Sequence, residues 1–239
     1  AAGFLAFESI KQASSALKDG EVDVLVTSPI NKKTIQSEDF RFPGHTSYFA
    51  DFLNGESLMF MISDQLKVAL VTDHIPVKEI SNQISTDLLK KRINQLENSL
   101  KFDFDINRPR IAVLGLNPHS GDGGVIGNEE DQIFFPVIEE LRQKGHLVFG
   151  PYAADSFFGN QRYLNFDAIL ATYHDQGLIP FKTLTFGEGI NFTAGLSKVR
   201  TSPDHGTAFE IAGKGIAQVG SFRSAMYMAR KIFSNRKKN

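Results

Sequence analysis

Three of the six histidines in this 239-residue chain stand where a short apolar run gives way to polar residues. The runs are KVALVTDH, ending at His74; RIAVLGLNPH, ending at His119; and FDAILATYH, ending at His174. Imidazole is the commonest protein ligand for a divalent metal. Three imidazoles delivered from three strand ends can share one ion and leave coordination positions open to substrate, as catalytic metal sites do. The three lie far apart in the chain, so no compact His-x-x-x-His motif supports the reading. A lone histidine at a strand end is more often a hydrogen-bonded structural residue. Three in equivalent positions imply a shared place, because open parallel α/β sheets bind ligands outside the carboxyl ends of their strands. The chemistry indicated is that of a metal-dependent enzyme.

Other polar residues suit an anion. FPGHTSYFADFL sets His45 and Thr46 just before an amphipathic helix, where backbone N–H groups and a hydroxyl bind anions; a histidine that merely caps the helix fits as well. Lys182, Asn191 and Arg200 recur at equal spacing through a Gly-rich stretch, and two cations with an amide suit phosphate or carboxylate. Scattered surface cations are the alternative, and the apolar setting of Asn191 between Ile190 and Phe192 argues against it. The loop LNPHSGDGGVIGNEED carries Asn117, acids, and glycines that let backbone N–H groups approach an anion or cofactor. Its glycines do not form the G-x-G-x-x-G fingerprint, and a plain surface loop is an equal reading. PDHGTAFEIAGKGIA offers small residues and backbone donors for a nucleotide at His205, Gly206, Thr207 and Ala208, although alone it is also a plain helix N-terminus.

The elements that must position these residues alternate. VDVLVTS, SLMFMIS, KVALVTD, RIAVLGL and FDAILAT read as strands, the second and third paired about the polar turn Asp64–Gln65. Helices are expected at the start of the chain, closing on Gly20; over STDLLKKRINQLENSLKF with Ser85 or Thr86 as N-cap; and over NEEDQIFFPVIEELRQKG with Asn128 as N-cap, Pro136 as a bend and Gly145 as the stop. A last helix, SFRSAMYMARKIFSN, is expected with Ser221 as its cap, and NRKKN as a frayed tail. The rhythm predicts an α/β fold with a mixed, mostly parallel sheet flanked by helices.

Composition sets outer bounds. Hydrophobic content of 41%, charged content of 22% and a formal charge of -1 describe an ordinary globular protein without a broad basic surface for nucleic acid. No apolar run reaches the ~18–20 residues of a membrane span. The chain has no Cys, so any metal uses imidazole, carboxylate or water, and the composition fits a cytoplasm. The opening AAGFLAFESIKQASSALKDG has no Met and reads as a helix of a longer protein, not a secretory signal.

Taken together, VTSPINK, FPGHT, TDHIPV, GLNPHSGDGG, GPYAADSFF, YHDQGLIPFK, GINFTAGL and VRTSPDHGTAFEIAGKG closely resemble, in order, the 4-hydroxythreonine-4-phosphate dehydrogenase family. The last block also looks like the adenine-binding turn of isopropylmalate and isocitrate dehydrogenases. The resemblance implies that fold, with an active-site cleft between two interleaved subdomains whose boundary is not legible. It implies NAD and a divalent metal as cofactors, with Zn²⁺ the first choice and Mg²⁺, Co²⁺ or Ni²⁺ as alternatives. It assigns His74, His119 and His174 to the metal; His45, Thr46, Lys182, Asn191 and Arg200 to substrate; and His205, Gly206, Thr207 and Ala208 to the cofactor. Asp155 matches an acid near the metal and, with Lys182, makes the expected catalytic pair. The family is homodimeric, with its active site at the subunit interface and histidines from both chains.

Two departures set further expectations. Ser47 stands where the family usually has Glu, which removes a charge beside the substrate contacts. The chain also begins after the region of the family's Gly-Asp-Pro-type loop, so weak turnover is expected of a truncated dehydrogenase. Competing readings are a sister dehydrogenase for threonate or erythronate 4-phosphate, a metal-dependent hydrolase, and an inactive metal- or phosphate-binding fragment.

Overall fold

A computed structural model describes residues 2–185 and 187–238. In chain order the first elements are α1 (Ala2–Asp19), β1 (Val24–Val26), α2 (His45–Phe52), β2 (Leu58–Ile62), β3 (Lys67–Leu70), the short α3 (Ile80–Gln83) and α4 (Thr86–Phe102). There follow β4 (Ile111–Leu114), α5 (Phe135–Gln143), β5 (Val148–Tyr152), α6 (Ala154–Gly159), β6 (Ala168–Ala171), α7 (His174–Thr185), β7 (Ile190–Ala194), β8 (Val199–Pro203) and α8 (Gly220–Arg236). The chain divides into two units: one holds the stretch up to Met59 and again from Gly187, the other the stretch from Phe60 between them. Among the described residues no helix is long and apolar enough to cross a membrane.

In the first unit β8 lies between β1, to which it is parallel, and β7, to which it is antiparallel. Helix α8 packs on this sheet through Ser221, Ala225, Ala229 and Ile232, mostly small residues that let backbones approach. Thr201 Oγ1 donates to the carbonyl of Ala225 at 2.9 Å. Ser221 does not cap α8. It sits inside the first turn, where its hydroxyl donates to the Gly189 carbonyl at 2.7 Å and accepts from the Asp204 N–H at 3.2 Å. Nor does the tail fray at Asn235: the helix runs to Arg236, whose Nη1 donates to the Leu196 carbonyl at 2.9 Å. Helix α1 closes on Gly20 in the left-handed region, as its sequence predicts. Its buried Phe7 and Ile10 join Phe40, Tyr48, Phe49 and Leu196 in an aromatic core.

In the second unit β2 pairs antiparallel with β3, and β3, β6, β4 and β5 follow as parallel neighbours. Parallel pairing predominates, so the sheet is mixed as expected. Strands β2 and β4 are buried at every position, which matches their unbroken apolar runs. Ser85 caps α4 by accepting from the Leu88 N–H at 3.2 Å, and Leu89, Ile93, Leu96 and Leu100 form its buried stripe. The bend expected at Pro136 takes the form of a π-helical turn at Glu130–Phe134 entering α5. Proline cannot donate a backbone hydrogen bond, and the ladder widens around it.

Candidate functional site

Arg200 is the most consequential side chain of the first unit. It sits on β8 and is only 2% exposed. Its Nε and Nη2 donate to Thr27 Oγ1, the former at 3.0 Å, and Nη1 donates to Thr193 Oγ1 at 3.2 Å. The strand register explains the grouping. Leu25 faces Arg200 across β1–β8, which brings Thr27 close, and Asn191 faces Ser202 across β7–β8. Side chains alternate along a strand, so Asn191, Thr193, Arg200 and Ser202 share one face. Among the described residues no carboxylate pairs with Arg200. Burial pulls its pKa down to about 9, still well above neutrality, so the charge persists.

The same unit buries other unmatched polar atoms. His45 Nε2 and Asn191 Oδ1 are buried without a hydrogen-bond partner. Burial, then the charges of Arg200 and Lys32, push the His45 pKa down to about 3, so the ring is neutral at physiological pH. His45 opens α2 and stacks on Phe49 with ring centroids 6.4 Å apart. It does not cap the helix: the cap position is Gly44, which makes no side-chain cap bond. Thr46 and Ser47 follow in the first turn, where backbone N–H groups have no partner within the helix. An isolated buried charge and unpaired buried polar atoms are costly.

His205, Gly206, Thr207 and Ala208 line a cavity of about 540 Å³ in this unit, opposite Gly3 of α1 and the turn from Pro29 to Ile35. Gly3 allows that approach, since a Cβ there would stand 1.8 Å from the Thr34 carbonyl oxygen. Small residues and exposed backbone make a wall suited to a flat, hydrogen-bonding group.

In the second unit the three metal-candidate histidines follow β3, β4 and β6, adjacent parallel strands, and Asp155 follows β5 beside them. Side chains lace these strand ends together. Thr72 Oγ1 donates to the Thr172 carbonyl, Thr172 Oγ1 to the Leu114 carbonyl, each at 2.9 Å, and Gln176 Nε2 to the Gly115 carbonyl at 2.6 Å. Helix α7 starts at His174 and lies flush on the sheet at Gly177, where a Cβ would stand 2.9 Å from Val68, Leu70 and Ala171. His74 and His174 meet, with ring centroids 5.5 Å apart. Both are substantially exposed, and each has an aspartate on its Nδ1 side: Asp175 at 2.7 Å from His174, and Asp73 at 3.9 Å from His74. His74 pulls the Asp73 pKa down to about 2, and its backbone N–H donates to Asp73 Oδ1 at 2.6 Å. At His174 the carboxylate bonded to Nδ1 orients the ring and leaves the other nitrogen available to an ion.

The remaining candidates are placed differently. His119 is exposed on a loop of six successive residues with positive φ, from His119 (53°) to Gly124 (89°). Left-handed backbone costs roughly 1–2 kcal/mol per non-glycine residue, so something must hold this turn. Among the described residues of one chain no group of three His, Asp or Glu side chains is disposed to hold an ion. Asp155 is exposed in the first turn of α6 and accepts from the Ser156 N–H at 2.7 Å. Lys182 belongs to the exposed side of α7 in the second unit, whereas Asn191 and Arg200 belong to the first.

Residues 1–229 match the family described as pyridoxal phosphate biosynthetic protein PdxA. The chain belongs to the PdxA family. It is 52% identical over 99% of its length to a Bacteroides thetaiotaomicron protein named 4-hydroxythreonine-4-phosphate dehydrogenase, and 43% identical over 98% to one of that name from Prosthecochloris aestuarii. It spans 66% and 70% of those relatives. The crystal structure of 4-hydroxythreonine-4-phosphate dehydrogenase from Klebsiella pneumoniae superposes with a TM-score of 0.81 at 36% identity, covering 98% of this chain and 70% of that one. In this PdxA chain, sequence reasoning passed over Thr27 and Thr193 as partners of Arg200. It also passed over Lys32 beside His45, and the aspartates behind His74 and His174. Only the Asp73–His74 and His174–Asp175 dipeptides carried a local signal.

Proposed function

We propose that this chain catalyses the NAD-dependent oxidation and decarboxylation of 4-phosphohydroxy-L-threonine to 3-amino-2-oxopropyl phosphate, a step of pyridoxal 5′-phosphate biosynthesis. The observation that carries the reading is Arg200, a buried cation that no carboxylate pairs among the described residues, in the unit that also buries two unpartnered polar atoms. A phosphate ester answers that arrangement. Arg200 and the α2 N–H groups donate to its oxygens, with His45 and the Thr46 hydroxyl alongside. Asn191 Oδ1 then accepts from a hydroxyl or ammonium of the same molecule. Binding energy at this remote group positions the reacting carbon.

His74 and His174, with His119, would hold the divalent ion, Zn²⁺ first and Mg²⁺, Co²⁺ or Ni²⁺ as alternatives. When bound, such an ion lowers the pKa of a substrate hydroxyl and offsets the negative charge that develops on decarboxylation. Asp155 and Lys182 are the catalytic residues of this reading. NAD⁺, when bound, would accept the hydride from C3; the hydroxyl proton would leave to a base, and the resulting β-keto acid would release CO₂. The cavity at His205, Gly206, Thr207 and Ala208 takes a flat part of the cofactor. The reading includes a homodimer with its active site at the subunit interface, acting in the cytoplasm.

The test mixes the protein with NAD⁺, Zn²⁺ or Mg²⁺ and 4-phosphohydroxy-L-threonine and follows NADH absorbance. A metal-dependent rise that chelator abolishes is expected. NADH formed only with threonate or erythronate 4-phosphate would replace the substrate with that of a sister dehydrogenase, the alternative that Ser47 leaves open. Substrate turnover without NAD⁺ would overturn the dehydrogenase altogether.

A further inference from the structure

We infer that Thr27 is a positioning residue: its hydroxyl holds the Arg200 guanidinium in place for an anionic group of the substrate without neutralising it. This rests on the reading of Arg200 as an anion ligand and deepens it. Thr27 stands just beyond β1, where its backbone N–H donates to the Thr201 carbonyl at 3.0 Å and continues the β1–β8 ladder. Leu25, two residues earlier, faces Arg200 across that ladder, so the Thr27 side chain lies on the same face. A guanidinium has five N–H donors, one on Nε and two on each terminal nitrogen. Thr27 Oγ1 accepts from Nε at 3.0 Å and also from Nη2, and Thr193 Oγ1 accepts from Nη1 at 3.2 Å. Among the described residues, one N–H on each terminal nitrogen is left without a partner. Phe49 of α2 lies against the same group, its ring centroid 5.9 Å from Cζ.

A buried arginine with a purely structural task is matched by a carboxylate, which accepts two parallel N–H bonds and cancels the charge. Here the edge that such a carboxylate would take, Nε with Nη2, is filled by a single neutral oxygen. Thr27 thereby fixes the plane of the group, the net charge survives, and the two remaining N–H groups are kept for an oxyanion. An aspartate at this position would reverse the arrangement, pairing with Arg200 and competing with the ligand. Valine keeps the shape of threonine and removes the acceptor, so Nε and Nη2 lose the partner they share and the guanidinium is free to turn.

The test titrates inorganic phosphate into the intact protein by calorimetry and records the thermal melting of each ligand-free protein. It compares wild type with Arg200→Met, Thr27→Ser, Thr27→Val and Thr27→Asp. Three results support the inference: affinity within about threefold of wild type in Thr27→Ser, a loss of about 10-fold in Thr27→Val, and in Thr27→Asp a larger loss with melting at or above wild type. Affinity losses that track a fall in melting temperature in both the valine and aspartate variants mark Thr27 as a support of the fold and overturn it. Wild-type affinity in either folded variant, with Arg200→Met impaired, overturns the inference alone. If neither variant folds, NMR of the wild type decides. The Arg200 Nε–H signal, identified by its absence in Arg200→Met, should exchange slowly with solvent before any phosphate is added, and rapid exchange there overturns the inference. Unchanged affinity in Arg200→Met, or no phosphate binding in the wild type, overturns the anion-ligand reading beneath it.

Discussion

The Arg200 cluster of the first unit and the His74–His174 pair of the second treat charge in opposite ways. Arg200 is buried with neutral hydroxyls for partners, next to an imidazole that burial keeps uncharged. The histidine pair is open to solvent, and each ring has its own carboxylate. The first arrangement carries the electrostatic cost of a buried charge without a carboxylate partner among the described residues. The second is open to solvent and carries no such cost. Binding groups that must discriminate are buried and preorganised, whereas groups that exchange ligands stay accessible.

Four measurements break or sharpen this contrast. The largest effect is expected at the histidine pair. His174→Ala should reduce kcat/KM by about 10²–10⁴-fold, because the Lewis-acid contribution is several kcal/mol; steady-state kinetics with added Zn²⁺ checks it. Activity within threefold of wild type would remove the pair from the reaction. Next comes Arg200→Met. Inorganic phosphate should raise the melting temperature of the wild type and leave the variant unmoved. Phosphate affinity should fall by about 10–100-fold, as for a lost charge-assisted hydrogen bond. The ligand-free variant should melt no lower than wild type, since the substitution removes a buried unpaired charge.

The third measurement concerns pH. His45 is pulled down from 6.5 to about 3 on folding. Between those values the unfolded chain binds a proton that the folded chain does not. Stability is therefore present in full above about pH 6.5 and declines as pH falls toward 3, by up to about 1.4 kcal/mol per pH unit. Urea unfolding across that window should show a shallower slope for His45→Gln, and identical slopes would place the acid sensitivity elsewhere. The smallest effect is expected from Gly177→Ala, whose new methyl group meets three core side chains at 2.9 Å. A loss of about 1–3 kcal/mol in thermal unfolding is expected, with weakened metal binding because α7 carries His174.

How legible each region was follows from the range of its interactions. The antiparallel β2–β3 pair, the Ser85 cap and the left-handed Gly20 stop were all readable, because each depends on residues a few positions apart. The cap assigned to Ser221 and the frayed tail at Asn235 were misread for the opposite reason. Ser221 is recruited by Gly189 and Asp204, and the tail is held by the Leu196 carbonyl, contacts that no local pattern encodes. The loop after β4 was readable as glycine-rich, but the burial of Glu130 at its centre was not. An acid in the first turn of a helix normally complements the helix dipole from solvent.

From the sequence alone one learns which side chains stand at strand ends and helix starts. Apolar runs and capping residues act over a few positions, and they place His74, His119, His174 and His45 there whatever the rest of the chain does. Only the tertiary structure decided which of them meet, and in what electrostatic setting. Thr27 reaches Arg200 because β1 and β8 pair in one register. His74 faces His174 because β3 and β6 are neighbours. Strand register and burial come from packing the whole chain at once, and they convert ordinary polar residues into a buried charge among hydroxyls and an exposed histidine pair.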